Sequence, residues 1–204
     1  LDCEMVSPEK NRFGFNISGE YSQELPIVID PYIKWSTFVG KGGEDIAYDV
    51  EVDSRGNPVM TGCTYSQDFP VTPGTYDSLY NGDSDIFVTK MDPNGENVLF
   101  STFVGGNMSE AGRTIAIDHL DAIHVGGTTD SDDFPLSPDA YDTGPTVDLE
   151  GTYFMLSSNG AELEYSTYIG GNGEDYVRSI VISEGANIVM TGNTQSTDIP
   201  TTPG

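Results

Sequence analysis

The chain has 204 residues, of which 33 are acidic and 8 are basic, so its formal net charge is −25. A surface of that sign repels nucleic acids and anionic lipid headgroups, which excludes nucleic acid as an expected partner. Apolar residues make up 36% of the chain but occur in short groups. None approaches the roughly 20 apolar residues of a membrane-spanning helix, so no membrane span is expected.

Residues 1–32 are predicted to form an N-terminal segment that contains strands. Ile27, Val28 and Ile29 precede an Asp-Pro pair and resemble the third strand of the repeat described below, at residues 88–93. Residues 33–39 resemble the fourth strand of that repeat, at residues 98–104. The segment is therefore either the end of a preceding region or a source of strands that complete the last repeat and close a ring.

Residues 33–204 are dominated by a repeat of 65 residues. The pattern Ser-Thr-Phe-Val-Gly at residues 36–40 returns at residues 101–105 and, as Ser-Thr-Tyr-Ile-Gly, at residues 166–170. No insertion or deletion separates the copies, and residues 36–74 share 18 of 39 identities with residues 166–204. The chain is a tandem array of two complete units, residues 36–100 and 101–165, and a partial unit, residues 166–204.

Each unit has the periodicity of strands and no helical pattern. Apolar side chains alternate with smaller or polar ones over residues 46–52, and a turn leads to a return strand at residues 59–62. A loop over residues 66–83 precedes a third strand at residues 86–91, and a Pro-Asn-Gly turn leads to a fourth at residues 98–104. The fourth strand has aromatic residues on both faces, so both faces need cover.

Four antiparallel strands in every unit predict an all-β fold, a β-propeller of four-stranded antiparallel blades with a 65-residue repeat. A solenoid is the weaker alternative, because its units are mostly shorter and either helical or single-stranded. Two complete blades and a partial one are fewer than the about four to eight that close a ring. Closure requires a second chain or repeats beyond Gly204, and we expect the latter.

Three motifs at fixed spacing resemble a known repeat family. They are Tyr-Ser-Thr-Tyr-Ile-Gly-Gly-Asn-Gly-Glu-Asp at residues 165–175, Val-Met-Thr-Gly at residues 189–192 and Asp-Ile-Pro-Thr-Thr-Pro-Gly at residues 198–204. With their copies in the earlier units they resemble the SBBP family, a name that abbreviates seven-bladed β-propeller repeat. The resemblance covers residues 33–204 and implies a propeller of secreted or surface-anchored proteins, without defining an activity. We therefore expect an extracellular or cell-surface location.

Acidic side chains that follow a Gly-rich turn in every unit form the first candidate site. They are Asp45, Glu110 and Asp175. The favoured role is structural, as caps of free backbone amides at the start of the first strand of each unit. Ligation of Ca²⁺ through carboxylate oxygens is the alternative.

An acidic loop is the second candidate, because its acidic residues alternate as the oxygen ligands of a hard cation do. It contains Asp83 and Asp85, whose positions recur as Asp148 and Glu150. The Asp-Ser-Asp at residues 130–132 is interpreted in the same way. In each case a solvated acidic loop is the alternative, so Ca²⁺ is possible and no cofactor is required.

Cys3 and Cys63 are the only cysteines, and a disulfide between them is one of two open interpretations. In an oxidising compartment, closing that loop would stabilise the fold by about 4 kcal/mol in the chain-entropy model. Asn16 and Asn107 begin N-glycosylation sequons.

Other recurrent residues are predicted to be architectural. Aspartates that stand two residues before a proline are expected to fix the loop through Asx turns. They are Asp68, Asp133 and Asp198. Glycines in the second strand of each unit are expected to permit the close approach of a neighbouring blade. They are Gly62, Gly127 and Gly192.

Catalysis is not expected. His119 and His124 are the only imidazoles, and neither recurs nor accompanies a serine elbow. His124 replaces the valine of the other units, which predicts a half-buried strand histidine. Tyr76 and Tyr141 recur at one loop position and either anchor the loop, which is favoured, or form a platform for a sugar.

The sequence favours a noncatalytic module that serves as a structural scaffold, adhesin or self-assembling surface component. Its partners would be other protein subunits or cell-surface glycans, bound by the loops at residues 66–83 and 130–147, which vary between copies. Unpaired strand edges would allow homo-oligomers, filaments or layers to form by strand complementation. The alternative function is a glycan-binding or glycan-cleaving propeller with carboxylates in the central channel.

Overall fold

In a computed structural model of the chain, the described residues are 2–9, 12–18, 34–144, 149–183, 185 and 187–201. Every element that they form is a strand, which confirms the all-β fold class. Accordingly, the described residues include no helix that could cross a membrane. The chain divides into two compact units, Leu1–Lys34 and Trp35–Gly204.

The first compact unit contains one antiparallel hairpin. Strand β1 (Asp2–Glu9) pairs with β2 (Arg12–Ser18), and the register shifts between Val6 and Glu9. The strand predicted at residues 27–29 lies outside the described residues. The N-terminal segment therefore contains strands, but at positions that the sequence analysis did not single out.

The second compact unit consists of three antiparallel sheets in which strands pair in chain order. Sheet 1 contains β3 (Asp45–Val52), β4 (Pro58–Thr64), β5 (Asp85–Met91) and β6 (Val98–Val104). Sheet 2 contains β7 (Glu110–Ile117), β8 (Ile123–Thr129), β9 (Glu150–Leu156) and β10 (Leu163–Ile169). Sheet 3 contains β11 (Asp175–Ile182) and β12 (Ile188–Thr194).

The strands recur with the offset of the sequence repeat. The first strands of sheets 1, 2 and 3 begin at Asp45, Glu110 and Asp175, 65 residues apart. Each of them has a register shift at the same place in its pairing with the second strand. All four strands predicted for a repeat unit are confirmed in β3 to β6, with ends that differ by at most two residues. Alternating β-branched and aromatic side chains therefore determine these elements.

The prediction that residues 33–39 form a copy of the fourth strand is wrong for the residues that the structure describes. Residues 34–40 form no strand, and the Phe38 side chain is fully exposed. The corresponding β6 is held by β5, whereas residues 34–39 have no partner strand within the described residues. Trp35 is fixed instead by a side chain contact, because its ring covers Gly95 and its Nε1 donates to the Pro93 carbonyl at 3.1 Å.

The core lies between successive sheets, which pack face to face. Between sheets 1 and 2 it contains Val59, Val88, Ile115, Val125 and Phe154, all buried. Between sheets 2 and 3 a smaller cluster contains Ala116, Tyr153, Val177 and Ile180. The first strands of adjacent sheets are also hydrogen-bonded, since the Ile115 amide donates to Asp49 Oδ2 at 2.9 Å. Each sheet therefore depends on its neighbours for burial of its apolar side chains.

Glycine recurs in the second strand of every repeat unit for a different reason from the predicted one. A Cβ at Gly127 would overlap the carbonyl oxygen of Ala111 in β7 of the same sheet. Equivalent overlaps exist at Gly62 with Ile46 and at Gly192 with Tyr176. The first strand bulges at this register and brings its backbone close, so the close neighbour belongs to the same sheet and not to a neighbouring blade.

We expect Gly127→Ala to lower the free energy of unfolding by about 1–3 kcal/mol, because the new methyl group meets a backbone carbonyl. Urea denaturation followed by circular dichroism measures this change. Gly144→Ala is the matched control, since among the described residues a Cβ there would meet nothing closer than the Asp142 carboxylate, at 3.6 Å. Equal stability of the two variants would contradict the overlap.

Candidate functional site

The Gly-rich turn that precedes each first strand is bound by three side chains. Before β7, the amides of residues 106–108 donate in order to Glu110, Asp133 and Ser131, at 3.1, 2.9 and 2.8 Å. Three successive N–H groups thus find side-chain acceptors within one repeat unit. We call this arrangement of acidic residue, aspartate and serine the turn clamp.

The turn clamp is present in all three repeat units. Before β3 the amides of residues 41–43 donate at 2.7, 3.4 and 2.8 Å to Asp45, Asp68 and Ser66. Before β11 the amides of residues 171–173 donate, each at 2.8 Å, to Asp175, Asp198 and Ser196. The predicted capping role of the recurrent acidic residues is therefore confirmed.

The aspartate of the turn clamp has a different hydrogen-bond partner from the predicted one. Asp133 was expected to fix its own loop through an Asx turn, but it accepts from the Asn107 amide, 26 residues earlier. Asp68 and Asp198 bind the corresponding turns across the same separation. Each aspartate thus ties the exit of a second strand to the turn that precedes the first strand.

Recurrent hydroxyl groups complete the turn clamp and were not singled out in the sequence. Thr129 Oγ1 and Ser131 Oγ donate to Glu110 Oε1 at 2.7 and 2.5 Å. Thr64 and Ser66 donate in the same way to Asp45, at 2.5 and 3.0 Å. The signal was available, because Thr-x-Ser recurs at residues 64–66, 129–131 and 194–196.

A second carboxylate faces the turn clamp at the junction of sheets 1 and 2. Asp85 Oδ1 and Glu110 Oε2 both lie beside Gly105, where a Cβ would overlap them. Asp85 is fully buried, and its Oδ1 has no hydrogen-bond partner within the described residues. Burial, opposed by a hydrogen bond from the Asn81 amide and reinforced by nearby Glu110, raises the pKa of Asp85 to about 7. Burial likewise raises the pKa of Glu110.

The same pairing recurs at the junction of sheets 2 and 3. Glu150 and Asp175 lie together beside Gly170, as Asp85 and Glu110 do beside Gly105. Both acidic side chains are buried, and Asp175 Oδ1 has no partner within the described part of the chain. Two buried carboxylates therefore meet at each junction between neighbouring sheets.

The candidate calcium ligands are divided among different surroundings. Asp83 is exposed whereas Asp85 is buried, and Asp148 lies outside the described residues. At residues 130–132 both aspartates are exposed. Within the described residues, no group of three or more His, Cys, Asp or Glu side chains is placed to hold a metal ion. Calcium binding stays a prediction.

The predicted modification sites are only partly described. Cys63 is buried, its Sγ lies 3.9 Å from Tyr48 Oη, and burial raises the pKa of its thiol. The side chains of Cys3 and Asn16 lie outside the described residues, so the disulfide stays a prediction. Asn107 is exposed at the turn before β7, where an attached glycan would have room.

The two recurrent loop tyrosines lie in different surroundings. Tyr76 is partly buried against the core between sheets 1 and 2, and its amide donates to the Gly160 carbonyl at 2.8 Å. Tyr141 is 68% exposed. Tyr76 therefore anchors its loop, as favoured from the sequence, while Tyr141 presents its ring to solvent.

His124 is buried instead of half-buried. Its Nδ1 lies 2.8 Å from Tyr153 Oη, and its Nε2 lies 3.6 Å from Asp118 Oδ2. Burial lowers the pKa of His124, which favours the neutral imidazole. Asp118 also lines an open cleft of about 420 Å³ with Glu162 and Glu164, which we call the acidic cleft.

No family model matches the chain, and no curated protein matches it in sequence. The resemblance to the SBBP family therefore stays a prediction that depends on the three motifs.

We expect Ser131→Ala to lower the free energy of unfolding by about 1–3 kcal/mol. The substitution removes the acceptor of the Met108 amide and one donor to the buried Glu110 carboxylate. Urea denaturation is the measurement. Ser158→Ala is the control, because this exposed serine keeps the carbonyl that accepts from Lys90. A Ser131 variant as stable as the control would contradict the stabilising role of the turn clamp.

Asp85→Asn should make stability less dependent on pH. Because the pKa of Asp85 is raised to about 7 from 3.8, the folded chain holds a proton that the unfolded chain releases. This contribution is fully present below about pH 4 and is lost as the pH rises through 7. It amounts to about 4 kcal/mol, with Glu110 and Asp77 as the facing carboxylates.

The measurement is the free energy of unfolding from pH 4 to pH 8 for the wild type and Asp85→Asn. The difference between the two should change over this range, and exposed Asp83→Asn should follow the wild type. A difference that is independent of pH would contradict the raised pKa.

Proposed function

We propose that the chain is a noncatalytic β-propeller module that acts as a structural scaffold outside the cell or at its surface. The observation that carries the proposal is the engagement of Asp45, Glu110 and Asp175 in turn clamps. These side chains are the recurrent carboxylates for which Ca²⁺ ligation was the alternative to capping. Backbone amides and hydroxyl groups donate hydrogen bonds to these carboxylates, and the bonds stabilise the fold.

The propeller architecture is supported by the way in which one sheet follows another. Sheets 1 and 2 each have four antiparallel strands in chain order, and their first strands are neighbours. Sheet 3 repeats the relation, because the Ile180 amide donates to Thr114 Oγ1 at 3.3 Å just as Ile115 does to Asp49. Repeated face-to-face packing with the first strands adjacent is the arrangement of propeller blades around an axis.

The long loops are presented on a rigid base, as suits a scaffold that binds through loops. The Thr72 amide donates to the Ser101 carbonyl at 3.0 Å, and the Asp77 amide donates to Thr102 Oγ1 at 2.9 Å. In sheet 2 the Asp142 amide donates to Thr167 Oγ1 at 2.8 Å. The recurrent Ser-Thr pair thus binds residues in the interior of each loop, while Leu79 and Tyr141 stay exposed.

A surface location is supported by charge and by one accessible sequon. The net charge of −25 keeps copies of the protein apart in solution and is compatible with a cation-rich medium. Asn107 is exposed, as an N-glycosylation site must be.

The test is an assay of the purified chain against a panel of polysaccharides, with release of new reducing ends as the readout. We expect no release above a heat-denatured control. The acidic cleft is the place where paired carboxylates would act on a glycan, so Glu162→Gln and Glu164→Gln are the matched variants. Release that these variants abolish, with folding intact by circular dichroism, would replace the scaffold by a glycan-cleaving enzyme.

A further inference from the structure

An open cavity lies at the junction of sheets 1 and 2, and we call it the junction cavity. Its volume is about 240 Å³. Sheet 1 lines it with the turn after β3, with Lys90 of β5 and with Leu99 and Phe100 of β6. Sheet 2 lines it with residues of the turns that follow β7 and β9. The walls therefore belong to two sheets that each have all four strands.

A buried ion pair stands in the wall of the junction cavity. Lys90 Nζ lies 2.8 Å from Asp53 Oδ2, and the two side chains are 8% and 2% exposed. Lys90 also donates to the Ser158 carbonyl at 3.0 Å, so two of its three N–H donors have partners. The fold does not require the lysine, because Met155 occupies its place in the next repeat unit. One ammonium donor thus remains for a ligand.

The Asp53 carboxylate is fully engaged by its own sheet. Asp53 Oδ1 accepts from the amides of Arg55 and Asn57 at 2.9 and 2.8 Å. Asp53 Oδ2 accepts from Asn57 Nδ2 at 2.8 Å in addition to its contact with Lys90. The charge and both oxygens of this carboxylate are therefore satisfied within the chain.

Asp121 holds the opposite wall of the junction cavity in place. Its φ is 64°, a conformation that favours glycine, and Gly56 with a φ of 82° occupies the matching position in the previous unit. The Asp121 carboxylate accepts from the amide and the hydroxyl of Ser54 at 2.9 and 2.7 Å. These bonds tie the turn after β7 to the turn after β3. The cavity is therefore shaped before a ligand binds, which lowers the entropy cost of binding.

The groups left over in the junction cavity are hydrogen-bond donors. Among the described residues no ion pair involves the Arg55 guanidinium, which carries five N–H donors. Asn159 Oδ1 accepts from the Ser157 hydroxyl and the Ala161 amide at 2.8 and 3.1 Å, which leaves its Nδ2 as a donor. With the third N–H of Lys90, three side chains present donors to one space.

The next repeat unit shows that this donor set is particular to one junction. The acidic cleft lies at the same place in that unit, and there Leu120 and Met155 replace Arg55 and Lys90. The acidic cleft presents carboxylates instead. Two places with the same backbone plan thus differ in polarity, and of the two the junction cavity suits an anion.

We propose that the junction cavity binds a sugar acid, such as one uronic acid residue of a glycan, through its carboxylate. Arg55 and Lys90 are the cationic donors, and a guanidinium binds a carboxylate in a fixed two-bond geometry. Leu99, which is 50% exposed, and Phe100 form an apolar wall for the C–H face of the sugar ring, and Asn159 donates to a ring hydroxyl. The inference goes beyond the proposed scaffold function, which holds with or without this ligand.

The net charge of −25 does not oppose this ligand at short range. Charges more than about 8 Å apart are largely screened at physiological ionic strength. Within the cavity, two basic side chains stand beside two carboxylates whose oxygens are occupied. Two of the chain's 8 basic residues therefore line one small cavity, a concentration that an anionic ligand explains.

The test is isothermal titration calorimetry of the chain with glucuronate, with glucose as the neutral sugar and with sulfate as a bare anion. We expect glucuronate to bind about tenfold more tightly than either, because a charge-assisted hydrogen bond contributes about that factor and the apolar wall adds contact. The affinity for glucuronate should fall as salt is added.

Two variants test the donors. Arg55→Leu introduces the residue of the matching position 120 and should weaken glucuronate binding about tenfold. Asn159→Asp keeps the oxygen that accepts hydrogen bonds within its turn but replaces the donor by a negative charge, so it should weaken binding at least as much. Lys41→Leu is the control, because it removes the same charge from an exposed residue outside the cavity. Circular dichroism verifies that every variant is folded.

No heat of binding with glucuronate would overturn the proposal, as would an affinity that Arg55→Leu leaves unchanged. Glucose bound as tightly as glucuronate would exclude the carboxylate as the recognised group, and sulfate bound as tightly would reduce the cavity to an adventitious anion site. Each of these results leaves the polysaccharide assay unaffected, so failure of this inference is separable from failure of the scaffold function.

Discussion

The turn clamp is the interaction on which the arrangement of the sheets depends. It binds the turn that leads from the last strand of one sheet into the first strand of the next, and its serine and aspartate come from the exit of the second strand. Glu110 is 2% exposed and accepts bonds from an amide and two hydroxyls. A buried carboxylate is tolerated only with such partners, so the turn, the strand and the hairpin must adopt their positions together.

The packing between sheets follows from the turn clamp. Once the turn at residues 105–108 is fixed, β7 lies beside β3, and Ile115 reaches Asp49 of the preceding sheet. Apolar side chains of both sheets then form the core, and Gly112 leaves room for the Thr61 side chain of the neighbouring sheet. The same geometry brings Asp85 against Glu110, which makes the junction sensitive to protonation.

The functional interpretation depends on how the acidic residues are used. A net charge of −25 suggests cation binding or carboxylate chemistry at first sight. The carboxylates that recur in every unit instead accept hydrogen bonds from the protein's own amides and hydroxyl groups. What stays available is the loop surface and the acidic cleft.

The sequence alone determined the local elements and their repetition. Alternation of side chains located β3 to β6 within two residues, the 65-residue offset placed every later strand, and the acidic residue after a Gly-rich turn identified a cap. These predictions succeed because strand periodicity and turn chemistry are encoded in neighbouring residues.

Tertiary structure decided the partners. Asp133 binds an amide 26 residues away, His124 is buried by Tyr153 from another strand, and Asp85 meets Glu110 across a sheet junction. Residues 34–39 repeat a strand sequence yet form no strand, since β6 owes its conformation to β5. Contacts of this kind depend on the path of the chain through space, so identical local sequences adopt different structures when the partner that would pair with them differs.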